Sequence, residues 1–267
     1  IEYLDLKSLV PFRNHPFKLR NGEEKEQLLK SIKAQGTIEP LIVRPLSESE
    51  YEVISGHRRL EICKELGMEK IPVIVRNLTD EQAVSMMVDA NLHRNNILPS
   101  ERAFAYKMKW EAIRKQGQRT DLTSSQPATK YRSDEKIANE FGIGKDTLHR
   151  YIRLTCLIPE LLDMVDEGRI ALTPAVELSY LTNEEQQALL NEIEYADATP
   201  SLSQAQRLRG FSRQGRLNSD VIFAVMSEEK ANQKEQIRFP KEELQKYFPK
   251  SYTGKDMQNT ILKLLEK

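Results

Sequence analysis

Apolar positions come in short extended runs up to about residue 75, then settle into a three-to-four spacing over most of the remaining 267-residue chain. Ile1–Leu6 reads as an extended segment, and Val10-Pro11-Phe12 through Pro16-Phe17 as a loop, because its two prolines break any helix. Leu28, Leu29 and Ile32 share one helical face over 23–35, and Gly36 ends that helix. Ile38–Arg44 reads as a buried strand closed by Pro45. Tyr51–Ser55 reads as its hairpin partner, with Tyr51, Val53 and Ile54 suited to a pleated surface. A helix over 57–66, capped near Gly67, and a third strand at Ile71–Val75 complete a β-α-β-β-α-β unit.

The helical part opens with Thr79 as N-cap and Asp80 and Glu81 in the first turn. Pro99-Ser100-Glu101 starts a helix whose Phe104, Tyr106, Met108, Trp110 and Ile113 read as core side chains, able to pack with either neighbour. Residues 115–132, polar and carrying Gly, Ser and Pro, read as an exposed loop. Ser133 then caps a helix over Asp134–Phe141, Gly142-Ile143-Gly144 turns the chain, and Lys145–Cys156 forms a second helix. Counted from Asp134, Ile stands at position four, Ala at five and Gly at nine, with apolar residues at eight, ten, fifteen and eighteen. A helix-turn-helix needs this pattern: the small residue lets the helices cross closely, the glycine turns the chain, and the apolar set joins them. Ser133, Lys145, Asp146, Thr147, His149, Arg150 and Arg153 are the candidate DNA-binding residues, polar and suited to a groove. Asp146 suits the helix dipole better than a cytosine, and His149 suits a base edge or water equally. Further helices are expected from Pro159, from Thr173 (cap) with Pro174 at the first position, from Thr182 and from Ser201. Beyond them, Ile237–Pro240 reads as strand-like and Glu242–Phe248 and Lys255–Leu265 as amphipathic helices. The expected fold is α+β: a small mixed α/β domain over 1–98, an all-helical domain over 99–218 with the helix-turn-helix at 133–155, and a small C-terminal unit over 219–267.

Charge changes the picture only locally. Forty basic and forty acidic residues cancel over the chain. Yet Arg102–Thr155 holds twelve Lys or Arg against six Asp or Glu, so positive charge gathers around the helix-turn-helix. Arg207, Arg209, Arg213 and Arg216 form a second basic run, readable as phosphate contacts or as a solvated stretch. Two distant cysteines, Cys63 and Cys156, and four scattered histidines exclude a disulfide framework or a zinc cluster. No apolar run spans a membrane and no signal peptide is visible, so a cytoplasmic, nucleoid- or plasmid-associated protein is expected. The chain opens at Ile1 rather than Met, so part of the native N-terminus is expected to precede it.

The remaining chemistry sits at the strand–glycine–helix junction Ile54-Ser55-Gly56-His57-Arg58-Arg59-Leu60. Such a junction aims backbone N–H groups and a positive dipole end at one spot, and two arginines add planar cations suited to phosphate. Four collinear blocks resemble the ParB family of plasmid and chromosome partition proteins: Gly36–Arg44, Ile54–Leu60, Ala90–Asn96 and the helix-turn-helix 133–155 with its helical continuation. The resemblance covers about 1–200. It implies a ParB/sulfiredoxin-like N-terminal domain that binds CTP with Mg2+ and acts as a clamp. It also implies a central domain that reads a palindromic double-stranded DNA site as a homodimer, and a partition ATPase as a further partner. Gly56, Arg58 and Arg59 match the family's first phosphate block and Asn91 and Arg94 the second, with His57 and Asn95 beside them as further candidate nucleotide-binding residues. Thr37 and Glu39 fall in the segment that lines the nucleotide, and Asn91 is the candidate metal contact.

Two positions depart from the family pattern: His57 and Ala90 stand where it has glutamates. Those carboxylates are associated with placing the metal and the hydrolytic water, and alanine supplies neither ligand nor base. The expectation is therefore phosphate binding with weak or absent hydrolysis, and a doubtful dependence on metal. A ParB-like transcriptional regulator is the alternative. A nuclease built on Glu39, Glu52 and Asp89, or a phosphotransferase built on Cys63, is a more distant one.

Overall fold

The computed structural model describes residues 1–17, 23–36, 39–92, 97–120, 129–228, 244, 246–249 and 252–265. The chain divides into two compact units, Ile1–Met226 and Ser227–Lys267.

Unit one opens with a five-stranded mixed sheet: β1 (Glu2–Asp5), β2 (Leu9–Pro11), β3 (Leu41–Pro45), β4 (Tyr51–Ser55) and β5 (Lys70–Val75), in the spatial order β1-β5-β3-β4-β2. β3 and β4 form the expected hairpin, with Val43 opposite Val53, while β5 joins β3 in parallel. The helices of this part are α1 (Glu23–Gln35), α2 (His57–Glu65) and α3 (Asp80–Leu92). Two differences from the sequence reading concern proline. β2 forms although it ends at Pro11, because it is an edge strand, where a missing N–H costs no ladder bond. β3 starts only at Leu41, after Pro40, rather than at Ile38, which lies outside the described residues.

Both faces of the sheet are covered. Leu41, Val43, Val53 and Val73 pack with Leu60 and Cys63 of α2 and Ile32 of α1. On the other face Ile54 meets Ala83, Met87 and Val88 of α3 and Phe12 and Phe17 of the N-terminal loop. Adjacent residues of one strand thus serve two cores, which is why β4 is buried at three consecutive positions.

The helical part runs α4 (Pro99–Thr120), α5 (Thr129–Glu140), α6 (Lys145–Leu154), α7 (Pro159–Asp166), α8 (Leu172–Leu178), α9 (Asn183–Ala196), α10 (Leu202–Arg213) and α11 (Ser219–Met226). α4 organises it by turning a different face to each of three cores. Ala103 enters the core of the later helices. Ala105 packs with Ile54 and Met87. Tyr106 packs with Ile137, Ala138 and Leu148 of α5 and α6. The Tyr106 ring stacks on Phe141 at 4.7 Å, and burial raises its hydroxyl above the ordinary tyrosine range.

The boundaries around the helix-turn-helix shift. The segment expected as loop is partly helical, since α4 continues to Thr120 and α5 begins at Thr129; residues 121–128 lie outside the described ones. Ser133 is therefore inside α5 rather than its N-cap. Similarly, Ala171 rather than Thr173 is the N-cap of α8. Thr182 and Ser201 do cap their helices, each with a reciprocal capping box to Glu185 and Gln204. α11 buries Ile222, Val225 and Met226 in the helical core, so that core continues past the boundary expected at 218/219.

In unit two, α12 (Gly254–Leu265) is preceded by Thr253, whose hydroxyl donates to Asp256 Oδ2 at 2.6 Å. That bond holds the Asp256 carboxyl below its ordinary range. The expected strand at Ile237–Pro240 lies outside the described residues, as do residues 242, 243 and 245 of the expected helix at Glu242–Phe248.

Candidate functional site

At the end of β4 the chain turns through Gly56, with φ 103° and ψ 23°, and α2 begins at once. Gly56, having no side chain, makes no side-chain cap at this turn. Arg59, one turn on, reaches back to the segment before β3. Its Nη1 donates to the Glu39 carbonyl at 2.5 Å and the Pro40 carbonyl at 3.3 Å, and lies 3.4 Å from Glu39 Oε2. Gly56, Arg59 and Glu39 are thus brought together across 20 residues of sequence.

Glycine is required at 56 on two grounds. Its φ lies where side chains are strained, and a Cβ there would stand 3.0 Å from Leu41 Cγ and 3.4 Å from Arg59 Nη2. Gly56→Ala is expected to cost about 2 kcal/mol of stability. Urea unfolding checks it, and a loss below about 0.5 kcal/mol would show that the turn relaxes freely.

His57 is used differently from the sequence expectation. Its ring is buried, and its Nε2 accepts the Phe12 N–H at 3.2 Å. The ring lies against that of His15, with centroids 3.8 Å apart, and His15 Nδ1 donates to the Phe17 carbonyl at 3.0 Å. His57 therefore pins the N-terminal loop to the start of α2.

The second block is placed in part. Asn91 is buried, and its Nδ2 donates to the Met87 carbonyl at 2.7 Å, which leaves its side-chain oxygen as the free function. Ala90 is exposed. Thr37, Arg94 and Asn95 lie outside the described residues. Met87 and Val88 share a core with Ile54, so the last turn of α3 is held on the same strand that delivers Gly56.

Two cations that the sequence reading did not single out, the half-buried Arg44 and the buried Lys109, hold this frame. Arg44 donates to Glu52 Oε2 and to Asp80 Oδ1, both at 2.7 Å, tying β3 and β4 to the first turn of α3. Burial works against the Arg44 charge, but hydrogen bonds to Asp80 and Glu52 and their charges outweigh it and raise its pKa further. Lys109 of α4 meets Asp89 of α3 at 2.6 Å and Glu140 of α5 at 2.9 Å, over the Phe141 ring. The three carboxylates of a nuclease reading are thus each committed to a different cation: Glu39 to Arg59, Glu52 to Arg44, Asp89 to Lys109. Cys63 is fully buried. Among the described residues no group of three or more His, Cys, Asp or Glu could hold a metal ion.

In the helix-turn-helix, Gly142 (φ 63°) ends α5, and Ile143 N–H returns to the Ala138 carbonyl at 2.9 Å. Leu148 and Leu154 bury one face of α6. Asp146 and His149 are exposed, while Lys145, Thr147, Arg150 and Arg153 are half-buried. Arg150 donates to Thr173 Oγ1 at 2.5 Å. Arg153 donates to the Ser179 carbonyl at 2.7 Å and lies over the Tyr180 ring, so it fastens α6 to the end of α8. From the second basic run, Arg209 covers the same ring at 3.6 Å and pairs with Glu177 at 2.7 Å. An open groove between α6 and α8 is lined by Asp146, His149, Arg150, Arg153, Tyr180 and Lys107 of α4. No sequence spacing links these residues; Trp110, Thr173, Ser179 and Tyr180 join the site through tertiary packing alone.

A model of the ParB N-terminal domain matches residues 1–92. The chain is 31% identical to the chromosome-partitioning protein Spo0J of Thermus thermophilus over 206 residues, 77% of this chain and 69% of that protein. It is 32% identical to the nucleoid occlusion protein of Lysinibacillus sphaericus over 168 residues, 63% of this chain but 51% of that protein. It thus spans only about half the length of that relative. The C-terminally truncated ParB of Caulobacter crescentus, complexed to the centromeric parS site, superposes with a TM-score of 0.44 at 21% identity, covering 80% of this chain and 100% of that one. The chain belongs to the ParB family of partition proteins. Among the described residues no helix is long and apolar enough to cross a membrane.

Proposed function

We propose that this protein is a site-specific DNA-binding partition protein of a plasmid or mobile element, and that its N-terminal domain holds CTP as a clamp-gating ligand. The observation that carries the DNA reading is α6. Its apolar face is buried by Leu148 and Leu154, and its other face carries Asp146, His149 and Arg150 beside Lys107 in an open groove. A palindromic site bound by a homodimer, and a partition ATPase as partner, belong to the same reading. Arg150→Ala is expected to weaken duplex binding about tenfold. Fluorescence anisotropy over a salt series tests this; affinity and salt slope both unchanged would remove α6 from the interface.

The nucleotide reading is supported by the glycine turn that opens α2, with Arg58 and Arg59 in its first turn. In this reading Arg94 and Asn95 complete the phosphate contacts and Thr37 lines the nucleotide. Among the described residues the donor set does not fit a protein-held magnesium: Ala90 has no donor, His57 is buried against Phe12, and of the three positions only Asn91 offers an oxygen. Weak or absent hydrolysis follows, since neither carboxylate is present to orient a water. Calorimetry of the four nucleoside triphosphates, with and without Mg2+, tests the site and its base choice. Arg59→Ala is expected to lower CTP affinity at least tenfold, both through a lost phosphate contact and through release of Glu39 and Pro40. Rapid CTP turnover by the wild-type chain would overturn the hydrolysis reading.

A further inference from the structure

Trp110, Asp134 and His149 form a chain of hydrogen bonds that ends on the exposed face of α6. Trp110 Nε1 donates to Asp134 Oδ1 at 2.6 Å, and His149 Nε2 lies 3.0 Å from Asp134 Oδ2. Asp134 is largely buried, its side chain 15% exposed, whereas that of His149 is 43% exposed. An indole N–H only donates and a carboxylate only accepts, so Asp134 cannot turn to offer His149 anything but an acceptor. Nε2 must therefore carry the proton, and in the neutral imidazole Nδ1 is the lone-pair nitrogen.

We infer that His149 is a specificity-determining residue that presents Nδ1 as a hydrogen-bond acceptor to the DNA major groove, and that Asp134, locked by Trp110, is the positioning residue that selects this tautomer. The inference rests on the reading that α6 enters the groove. An acceptor there pairs with the amino group of cytosine N4 or adenine N6; a donor would instead choose guanine N7 and O6, thymine O4 or adenine N7, so the cytosine–guanine exchange separates the two. Arg150 on this face only donates and Asp146 only accepts as an anion, so a histidine with a fixed tautomer adds a neutral acceptor that neither supplies. The same groups also surround any charge on the ring: Asp146 and Arg150 on α6, Asp134 on α5, and Lys107 on α4 with Arg153 at the groove.

Asp134→Asn separates this from a structural role. The Asn oxygen is held by the Trp110 N–H, so its NH2 faces His149 Nε2 and drives the proton to Nδ1. The experiment enriches bound duplexes from a random pool at pH 8.5 with the full wild-type chain, Asp134→Asn and His149→Ala, and reads the tautomer of His149 by nitrogen-15 NMR of the free proteins. Expected are a proton on Nε2 in wild type and on Nδ1 in Asp134→Asn. One base position should lose about tenfold discrimination in His149→Ala and change its preferred base, from an amino-bearing to an acceptor-bearing one, in Asp134→Asn. A wild-type proton on Nδ1, or an enriched site identical in all three proteins, would overturn the inference. If Asp134→Asn does not fold, the wild-type tautomer together with His149→Ala still decides it. Absence of duplex binding by the wild-type chain would overturn the DNA reading as well, which distinguishes that failure from the loss of His149 alone.

Discussion

Arg44→Met should lower the unfolding free energy by about 3–5 kcal/mol, the range for removing one partner of a buried ion pair. The size comes from what the substitution leaves behind. Glu52 has a side chain only 6% exposed, and Arg44 is its charge partner at 2.7 Å; the backbone N–H of Arg13 at 3.3 Å is a weak second donor. Without the guanidinium, Glu52 must stay ionised in an apolar setting or take up a proton, and either is costly. The second arm of the network predicts a contrast. Asp80 is 87% exposed, so Asp80→Ala should cost only about 0.5 kcal/mol, because water replaces its partner. Urea unfolding of both variants, and of the double variant Arg44→Met/Glu52→Leu, checks this. The double variant should recover most of the loss, since an apolar pair of similar volume can fill the space. A single-variant loss below about 1 kcal/mol, with the double no better, would mean that the strands are held by packing alone.

Lys109→Met is the second large effect, expected at about 2–4 kcal/mol. Lys109 has a side chain 4% exposed and sits where three elements meet: its own α4, Asp89 of α3 and Glu140 of α5. The loss should be smaller than at Arg44 because Asp89 and Glu140 are 48% and 39% exposed and can turn to solvent. Its distribution should also differ. Arg44 closes the sheet onto α3, whereas Lys109 joins the helix bearing Asn91 to the first helix of the helix-turn-helix. Hydrogen exchange in α5 should therefore accelerate more than exchange in β3 and β4. Equal acceleration throughout would show that Lys109 contributes to global stability only, without joining the two parts.

Much of the fold is local chemistry and was legible residue by residue. The helix over 23–35, the strand at Tyr51–Ser55, the turn at Gly142 and the capping residues Thr182 and Ser201 follow from periodicity, from a glycine where φ is positive, and from hydroxyls three residues ahead of Glu or Gln. These signals act within one turn or one strand, so they need no knowledge of what lies across the core. For the same reason the strand–glycine–helix junction could be located from Gly56 and its neighbours, and the pair of helices around Gly142 from the spacing between Asp134 and Tyr151.

Tertiary structure alone decided how individual side chains are used. His57 follows a glycine turn and stands beside two arginines, which pointed toward a phosphate; only the approach of Phe12 from 45 residues away makes its Nε2 an internal acceptor. Arg153 has the composition of a groove contact, and only the end of α8 converts it into a fastener on Ser179 and Tyr180. Ser133 carries a capping hydroxyl, but α5 begins at Thr129, so Ser133 lies within the helix. α4 was compatible with either neighbour because its apolar residues surround it, and three cores then took one face each. The sequence by itself determined which elements exist and which charges they carry. Which of those charges face a ligand and which neutralise one another was decided by distances of about 3 Å between residues far apart in the chain, and no local pattern encodes those.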